Sequence, residues 1–188
     1  MNKELTEESF YNVYIPKFEV RGLAEKILYD PNFFIWSGSG YEGQHHYGEG
    51  GLARHTLEVL KLAFNCAETL DTDIDKDVLF ISAIYHDIGK LWDYERDNSI
   101  EDFWVPTDHK RSIHHISRSA MFFHEQANKL NFDSEFIDKV LHCILSHHMQ
   151  REWGSPVSPK SKEAWLLCLC DNISARMNDC ETWDFVKK

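Results

Sequence analysis

The sequence lacks the features of a membrane-spanning or secreted protein. No run of 18 apolar residues is present, and the residues from Met1 to Leu5 do not resemble a signal peptide. The five cysteines form no CxxC pair, and an odd number of cysteines in a chain without a signal peptide is typical of reduced thiols. We therefore expect a soluble cytoplasmic protein.

Basic residues are also scarce. The chain has 20 Lys and Arg against 31 Asp and Glu, which gives a formal net charge of −11. Proteins that hold long nucleic acid by neutralising its phosphates normally carry a basic face, and no basic run is present here. The composition therefore argues against long nucleic acid and against a membrane as partners. It is compatible with a small phosphorylated substrate gripped through metal ions, and with a homo-oligomer.

Helical periodicity dominates the chain, and no stretch has convincing strand alternation. With 188 residues, 43% of them hydrophobic, the chain is long enough for one domain with a substantial core. The sequence therefore predicts an all-α fold, a single helical bundle, with residues 1–36 as an N-terminal helical segment packed on the core. Helices are expected at about 52–70, 75–88, 110–130, 133–148 (N-cap Asp133) and 158–177 (beginning at Ser158-Pro159), with a loop or lid at 92–108.

One stretch stands out chemically. The residues from Val78 to Ile84 are apolar almost all the way round, as in a fully buried helix. His86 and Asp87 follow side by side where this helix should end, and Gly89 is expected to stop it. A buried ionised carboxylate is very costly unless it is neutralised, and a divalent metal bound by the histidine nitrogen and the aspartate oxygen would neutralise it.

Other histidine and aspartate side chains lie on helix faces that are otherwise apolar, or at helix ends. The candidate metal ligands are His55, His86, Asp87, His115, His147, His148 and Asp171. Six or seven such groups, with one carboxylate that bridges, suit two divalent ions about 3.5–4 Å apart. Each residue alone has another explanation, since a lone histidine on an apolar face usually belongs to the core, and His114 is as eligible as His115 to point inward.

Several segments match a known pattern. Residues 50–59 read GGLARHTLEV, residues 86–90 read HDIGK, and residues 144–148 and 152–157 read ILSHH and EWGSPV. In this order they resemble the HD-domain metal-dependent phosphohydrolase superfamily, and within it the HD domain of YhaM-type 3′–5′ exoribonucleases. The pair His45-His46 also resembles a pair that precedes the first ligand there. The resemblance covers roughly residues 31–178 and implies an HD phosphohydrolase domain over residues 37–188.

Three departures from that family pattern are visible. The OB-type nucleic-acid-binding domain that precedes the HD domain in that family has no counterpart before Phe33. The glycine that usually precedes the third ligand is replaced by His114, and Ser174 stands where the family tends to have a second aspartate. The first departure argues against processing of long RNA, whereas the other two leave the candidate ligands intact.

The resemblance and the number of ligands together imply a mechanism. One metal would be held by His55, His86, Asp87 and Asp171, and Asp87 would bridge to a second metal held by His115, His147 and His148. Asp87 and Lys90 are the expected catalytic residues, and Lys90, Arg118, His45 and His46 are the expected substrate-binding residues. The metals are Mn, Mg, Fe, Co or Ni, between which the sequence does not distinguish.

The favoured function is hydrolysis of a phosphodiester or phosphomonoester in a nucleotide or short oligonucleotide. Two alternatives stay open. The first alternative is a di-iron oxygenase, because some HD proteins use a similar set of ligands to hold two irons and activate O₂. A nucleotide-binding HD module that has lost catalysis is the other.

Overall fold

The computed structural model describes residues 5–179, and almost all of the regular secondary structure in this part of the chain is helical. A two-stranded antiparallel sheet is the only sheet in this part of the chain. The helices are α1 (Glu7–Tyr11), α2 (Phe18–Leu28), α3 (Pro31–Ile35), α4 (Gly51–Thr69), α5 (Lys76–Tyr85), α6 (Lys90–Asp93), α7 (Asp108–Ser112), α8 (His115–Lys129), α9 (Ser134–Ser146) and α10 (Lys162–Asp179). The strands are β1 (Tyr94–Arg96) and β2 (Trp104–Pro106), and a short 3₁₀ helix covers Arg151–Trp153. The predicted all-α class is confirmed, with this small hairpin as the exception.

Helix α5 is the centre of the bundle. All its residues from Asp77 to Tyr85 are buried, and α2, α4, α8, α9 and α10 pack around it. Each large apolar side chain that is fully buried in this way contributes about 1.5–3 kcal/mol to folding. The N-terminal helices are tied to α5 by polar contacts as well, because the Tyr85 hydroxyl donates to the Leu23 carbonyl (2.9 Å) and the Tyr14 hydroxyl donates to Asp77 (3.0 Å).

Side-chain caps explain where several helices begin. Asp75 accepts a hydrogen bond from the Val78 amide (3.1 Å), and Asp133 accepts one from the Phe136 amide (2.9 Å). The predicted cap at Asp133 is therefore confirmed. The prediction that α10 begins at Ser158-Pro159 is wrong, because the helix begins at Lys162 and Ser161 accepts the hydrogen bond from the Ala164 amide (3.1 Å).

The region between α6 and α8 also differs from the prediction. The expected loop at 92–108 contains β1 and β2, which pair Tyr94 with Pro106 and Arg96 with Trp104. The single helix expected over 110–130 is two helices, because His114 interrupts it with a positive φ of 71°. No described helix is long and apolar enough to cross a membrane.

Gly89 lies at the closest approach between the turn after α5 and the start of α8. Its φ is −59°, so it is not the left-handed helix stop that the sequence suggested. A Cβ atom at this position would overlap the backbone carbonyl of His115, and the Gly89 amide donates to the Ser119 hydroxyl (2.9 Å). Glycine is therefore needed here because the two backbone segments are so close, and it allows the residues around Asp87 to lie beside His115.

We expect Gly89→Ala to destabilise the protein by about 1–3 kcal/mol, because a backbone atom cannot move aside for the new methyl group. The unfolding temperature measured by calorimetry should fall by roughly 2–4 °C for each kcal/mol in a chain of this size. Gly22→Ala in α2 is the matched control, since its Cβ would meet Leu130 at an ordinary 3.6 Å. An unfolding temperature for Gly89→Ala at or above that of Gly22→Ala would contradict the close-approach explanation.

Candidate metal centre

Five elements bring histidine and aspartate side chains to one end of α5. His55 comes from the first turns of α4, Asp171 from the middle of α10, and His115 opens α8. His86 and Asp87 form the turn after α5, while His147 and His148 follow α9 directly. Each of these side chains is buried except that of His148, which is half-buried. All seven residues that the sequence proposes as ligands thus lie together in space.

Four of them form one group around the Oδ2 oxygen of Asp87. The Nε2 atom of His55 lies 3.3 Å from Asp87 Oδ2 and 3.0 Å from Asp171 Oδ1. The Nε2 atom of His86 lies 3.5 Å from Asp87 Oδ2 and 3.8 Å from Asp171 Oδ1. Two imidazoles and two carboxylates therefore face one point, as ligands of a single divalent ion do.

The other oxygen of Asp87 faces a second group. His115 Nε2 lies 3.4 Å from Asp87 Oδ1, and His147 Nε2 lies 3.7 Å from the same atom. Ligand atoms of His115, His147 and His148 lie within 4.8 Å of one another. The carboxylate of Asp87 therefore stands between two ligand groups and gives one oxygen to each.

Three atoms of the second group test whether a cation fits. Asp87 Oδ1, His115 Nε2 and His147 Nε2 are fully buried, and none has a hydrogen-bond partner in the part of the chain that the structure describes. A buried polar atom without a partner is costly, so native structures rarely leave three of them side by side. A divalent cation satisfies all three at once, and the residues present therefore fit a metal ion.

The outer nitrogen of each histidine is fixed by a hydrogen bond. The Nδ1 atoms of His86, His147 and His148 each donate to a backbone carbonyl, at 2.7, 2.6 and 2.7 Å. The carbonyls belong to Ala83, Ile144 and Trp153. This arrangement leaves the lone pair of Nε2 free, which is the state of an imidazole that ligates a metal.

His55 is oriented by a chain of side chains instead. Its Nδ1 lies 3.1 Å from the Ser174 hydroxyl, which donates to Glu58 Oε2 at 2.9 Å. Glu58 Oε2 also lies 3.0 Å from His46 Nε2. The carboxylate that supports His55 thus comes from α4 and acts through Ser174 of α10.

Asp93 is a site residue that the sequence analysis missed. It is buried, its Oδ2 accepts from the backbone amide of His115 (3.0 Å) and lies 3.2 Å from His115 Nδ1, and its Oδ1 lies 2.7 Å from His109 Nδ1. Asp93 therefore fixes the ring of His115 from behind. Asp93 lies six residues after Asp87 on a short helix that no sequence pattern predicts, so its role is not visible from the sequence.

The charges inside the centre depend strongly on one another. Burial alone would raise the pKa of Asp87, but Lys90 Nζ at 2.7 Å and the neighbouring His86 hold it well below its usual range. Burial likewise opposes the charge on Lys90, yet Asp87 raises its pKa. Burial lowers the pKa of His86 and of His148 to about 4, so both imidazoles are neutral near pH 7 and able to bind a metal.

A cavity of about 340 Å³ opens over the centre. It is lined by Gln44, His45, Lys90, His148, Trp153, Asp171, Asn172, Ala175 and Arg176. Two predicted substrate-binding residues, Lys90 and His45, thus line it. The other two, His46 and Arg118, do not line it.

These two residues have partners elsewhere. His46 is buried against Glu58, with its ring 5.0 Å from that of His55. Arg118 donates from Nε to His109 (3.0 Å) and lies over the ring of Trp92. Arg176 and Trp153 were missed as cavity residues, because an exposed arginine and an exposed tryptophan carry no sequence signal that separates them from ordinary surface residues.

Backbone strain is concentrated around the centre. Within residues 5–179, the non-glycine residues with positive φ are His46, Asp71, Asp102, His114, Asn131 and Met149. Aspartate, asparagine and histidine are enriched at positive φ, mostly in the left-handed helical region, but His114 combines its φ of 71° with a ψ of 146°, which lies outside that region. The ring of His114 lies beside that of His115, tilted by 38° with the ring centroids 4.1 Å apart, and its centroid lies 6.3 Å from that of the His148 ring. Strain of this kind, about 1–3 kcal/mol per residue, is typical of functional sites.

The helical bundle and the buried histidines and aspartates define a class: a helical domain with a centre for divalent cations at the end of its most buried helix. The family model of the HD domain matches residues 52–176. This chain belongs to the HD-domain family, as its sequence motifs predict.

Curated relatives include the 3′-5′ exoribonuclease YhaM of Shouchella clausii, of Bacillus subtilis and of Bacillus pumilus. Each is 37% identical over 134 residues, which are 71% of this chain and 40–41% of the relative. The chain thus spans about two fifths of the length of these relatives. No solved structure gave a significant match. The family match and the names of these relatives agree with the predicted class, a metal-dependent hydrolase.

We expect Ser174→Ala to weaken divalent-metal binding about 10- to 100-fold, because loss of an outer hydrogen-bond partner of a ligating histidine typically has this effect. Glu58→Ala should weaken binding less, and the double variant should bind no more weakly than Ser174→Ala alone, because Glu58 acts on His55 through Ser174. Calorimetric titration with Mn²⁺ measures the affinities. Glu68→Ala, on the same helix, is the control. Additive losses in the double variant would show that the two residues act separately.

We expect His114→Gly to unfold at a higher temperature than the wild type in the presence of a chelator, because glycine adopts this φ without strain. A gain of about 1 kcal/mol corresponds to roughly 2–4 °C. The same variant should retain Mn²⁺ binding, because glycine is the residue that usually precedes the third ligand in the family pattern that the chain resembles. Asn131→Gly, at a φ of 58° in a turn, should change neither property appreciably. A fall in the unfolding temperature would show that His114 supports the fold instead.

Proposed function

We propose that this chain is a phosphohydrolase that cleaves a phosphoester in a nucleotide, or at the 3′ end of a short oligonucleotide, with two divalent cations in its HD centre. The observation that carries the proposal is the position of Asp87, whose two carboxylate oxygens each face a separate ligand group. Bridging by one carboxylate is what places two ions about 3.5–4 Å apart.

The ligand groups suggest how the ions would be held. His55, His86, Asp171 and Asp87 Oδ2 would hold one, and Asp87 Oδ1, His115, His147 and His148 the other. His147 is buried with Nε2 facing Asp87, whereas half-buried His148 lines the cavity and lies nearer to a substrate. Five imidazoles favour a transition metal such as manganese, iron, cobalt or nickel over Mg²⁺, which prefers oxygen ligands.

Bound divalent cations would supply an activated water at neutral pH and neutralise charge on the phosphoryl group. The chain contributes position and charge. Asp87, held ionised, offers one carboxylate oxygen to each ligand group. Lys90 reaches both Asp87 and the cavity, so its ammonium group is placed to donate to a phosphate oxygen and to stabilise the charge that develops there.

The names of the relatives support a nucleotide chemistry. YhaM proteins are named as 3′-5′ exoribonucleases, so an RNA 3′ end belongs among the substrates to be tested for this chain. This weakens the argument from net charge against long nucleic acid, because a bound cation and a local lysine can attract a phosphate regardless of the total charge.

We expect Asp87→Asn to reduce bound metal from two ions per chain to one or none, and to lower phosphodiesterase kcat/KM by roughly a thousandfold or more, since it removes charge from both ligand groups. Metal content is measured by plasma mass spectrometry, and activity with bis(p-nitrophenyl) phosphate and a short RNA in Mn²⁺. Asp138→Asn, an exposed aspartate on α9, is the control.

Retention of two metals and of wild-type turnover by Asp87→Asn would overturn the proposal. Oxygen consumption by the iron-loaded wild type without phosphate-ester cleavage would favour the di-iron oxygenase. A metal-loaded protein that binds nucleotides but turns over none of these substrates would favour a silent binding module.

A further inference from the structure

The residues that line the cavity over the centre are of two kinds. Lys90, His148 and Asp171 belong to the centre itself. Trp153 and Arg176 also line the cavity but are not candidate metal ligands. Phosphate chemistry at the centre needs only the first kind, so Trp153 and Arg176 are available to contact the rest of the substrate.

Trp153 is an aromatic surface held firmly beside the centre. Its side chain is 47% exposed, although a large aromatic group gains by burial. Its backbone carbonyl accepts from His148 Nδ1 (2.7 Å), and two residues later the Ser155 hydroxyl accepts from the His148 amide (3.0 Å). The loop that carries Trp153 is therefore bonded directly to a candidate ligand, which fixes the backbone of Trp153 relative to the centre.

Arg176 supplies a positive charge to the same cavity. It lies one helical turn beyond Asn172 and five residues beyond the candidate ligand Asp171, on the exposed side of α10. Its guanidinium forms no salt bridge within residues 5–179. Together with Lys90 it gives the cavity two cationic side chains for an anionic ligand, in a chain whose net charge is −11.

The volume limits what fits. At about 340 Å³ the cavity is near the lower end of small-molecule sites, which span about 300–1,000 Å³. We propose that it binds one nucleotide unit, with the base stacked on the Trp153 ring and the phosphate between Lys90 and Arg176. This inference rests on the proposed function and names its substrate unit: a single nucleotide or the terminal nucleotide of a chain.

The test compares two ligands that share a ribose phosphate and differ in the base. Binding of AMP and of ribose 5-phosphate to the Mn²⁺-loaded protein is measured by calorimetric titration. Trp153→Ala should weaken AMP binding roughly tenfold or more, as loss of base stacking does, and leave ribose 5-phosphate unchanged. Trp153→Phe should retain most of the AMP affinity. Arg176→Ala should weaken both ligands by similar factors, and Arg176→Lys should weaken them less.

Trp165→Ala and Arg21→Ala provide matched controls, since neither residue lines the cavity. Equal AMP affinity in Trp153→Ala and wild type would overturn the stacking assignment. If Arg176→Ala binds AMP and ribose 5-phosphate as tightly as the wild type does, the phosphate assignment is overturned. If the wild type hydrolyses bis(p-nitrophenyl) phosphate in either case, the proposed function stands while this inference fails. If AMP binding depends on Trp153 without any hydrolysis, the inference stands and the proposed function fails.

Discussion

The arrangement of the whole domain depends on the burial of the Asp87 carboxylate. An ionised carboxylate in a protein interior is stable only when charges or hydrogen bonds surround it, and here Lys90, His55 and His115 all lie within 3.4 Å of its oxygens. Helix α5 carries this group into the core, and four other helices each contribute a partner. The histidines that surround Asp87 and balance its charge are also members of the two ligand groups. The helix packing that stabilises the buried carboxylate therefore also assembles the centre.

The sequence predicted the burial of the candidate ligands because their signal is periodic. His55 shares a helix face with apolar neighbours, and His86 and Asp87 follow a helix that is apolar all round, so burial follows from the pattern alone. The bundle and the cap at Asp133 were predictable for the same reason. The helix break at His114 was not, because its φ of 71° with a ψ of 146° is a conformation that no sequence signal here indicates and that only tertiary contacts stabilise.

The residues that surround the ligands were harder to predict. His46 and Arg118 could each bind a phosphate by their chemistry, but their side chains bind Glu58 and His109. The conformation of the loops decides which partner each side chain can reach. Asp93 and Ser174 are recognisable only when the ring nitrogens of His115 and His55 are seen to point at them. The glycine-rich loop at residues 37–51, the hairpin and the loop after α9 therefore set the limit of prediction from one sequence.

Access to the centre is asymmetric, and this asymmetry places specificity on one side. On the side of His115, Asp93 and His109 fill the space behind the ligand and connect it to α7 and the hairpin. On the side of His148 and Asp171 a cavity adjoins the centre, and the loop after α9 and helix α10 both contribute to its lining. In the proposed binding mode the substrate contacts Trp153 and Arg176 there. Because neither residue is a candidate metal ligand, a substitution at either one would alter contacts with the substrate and leave the ligand set intact.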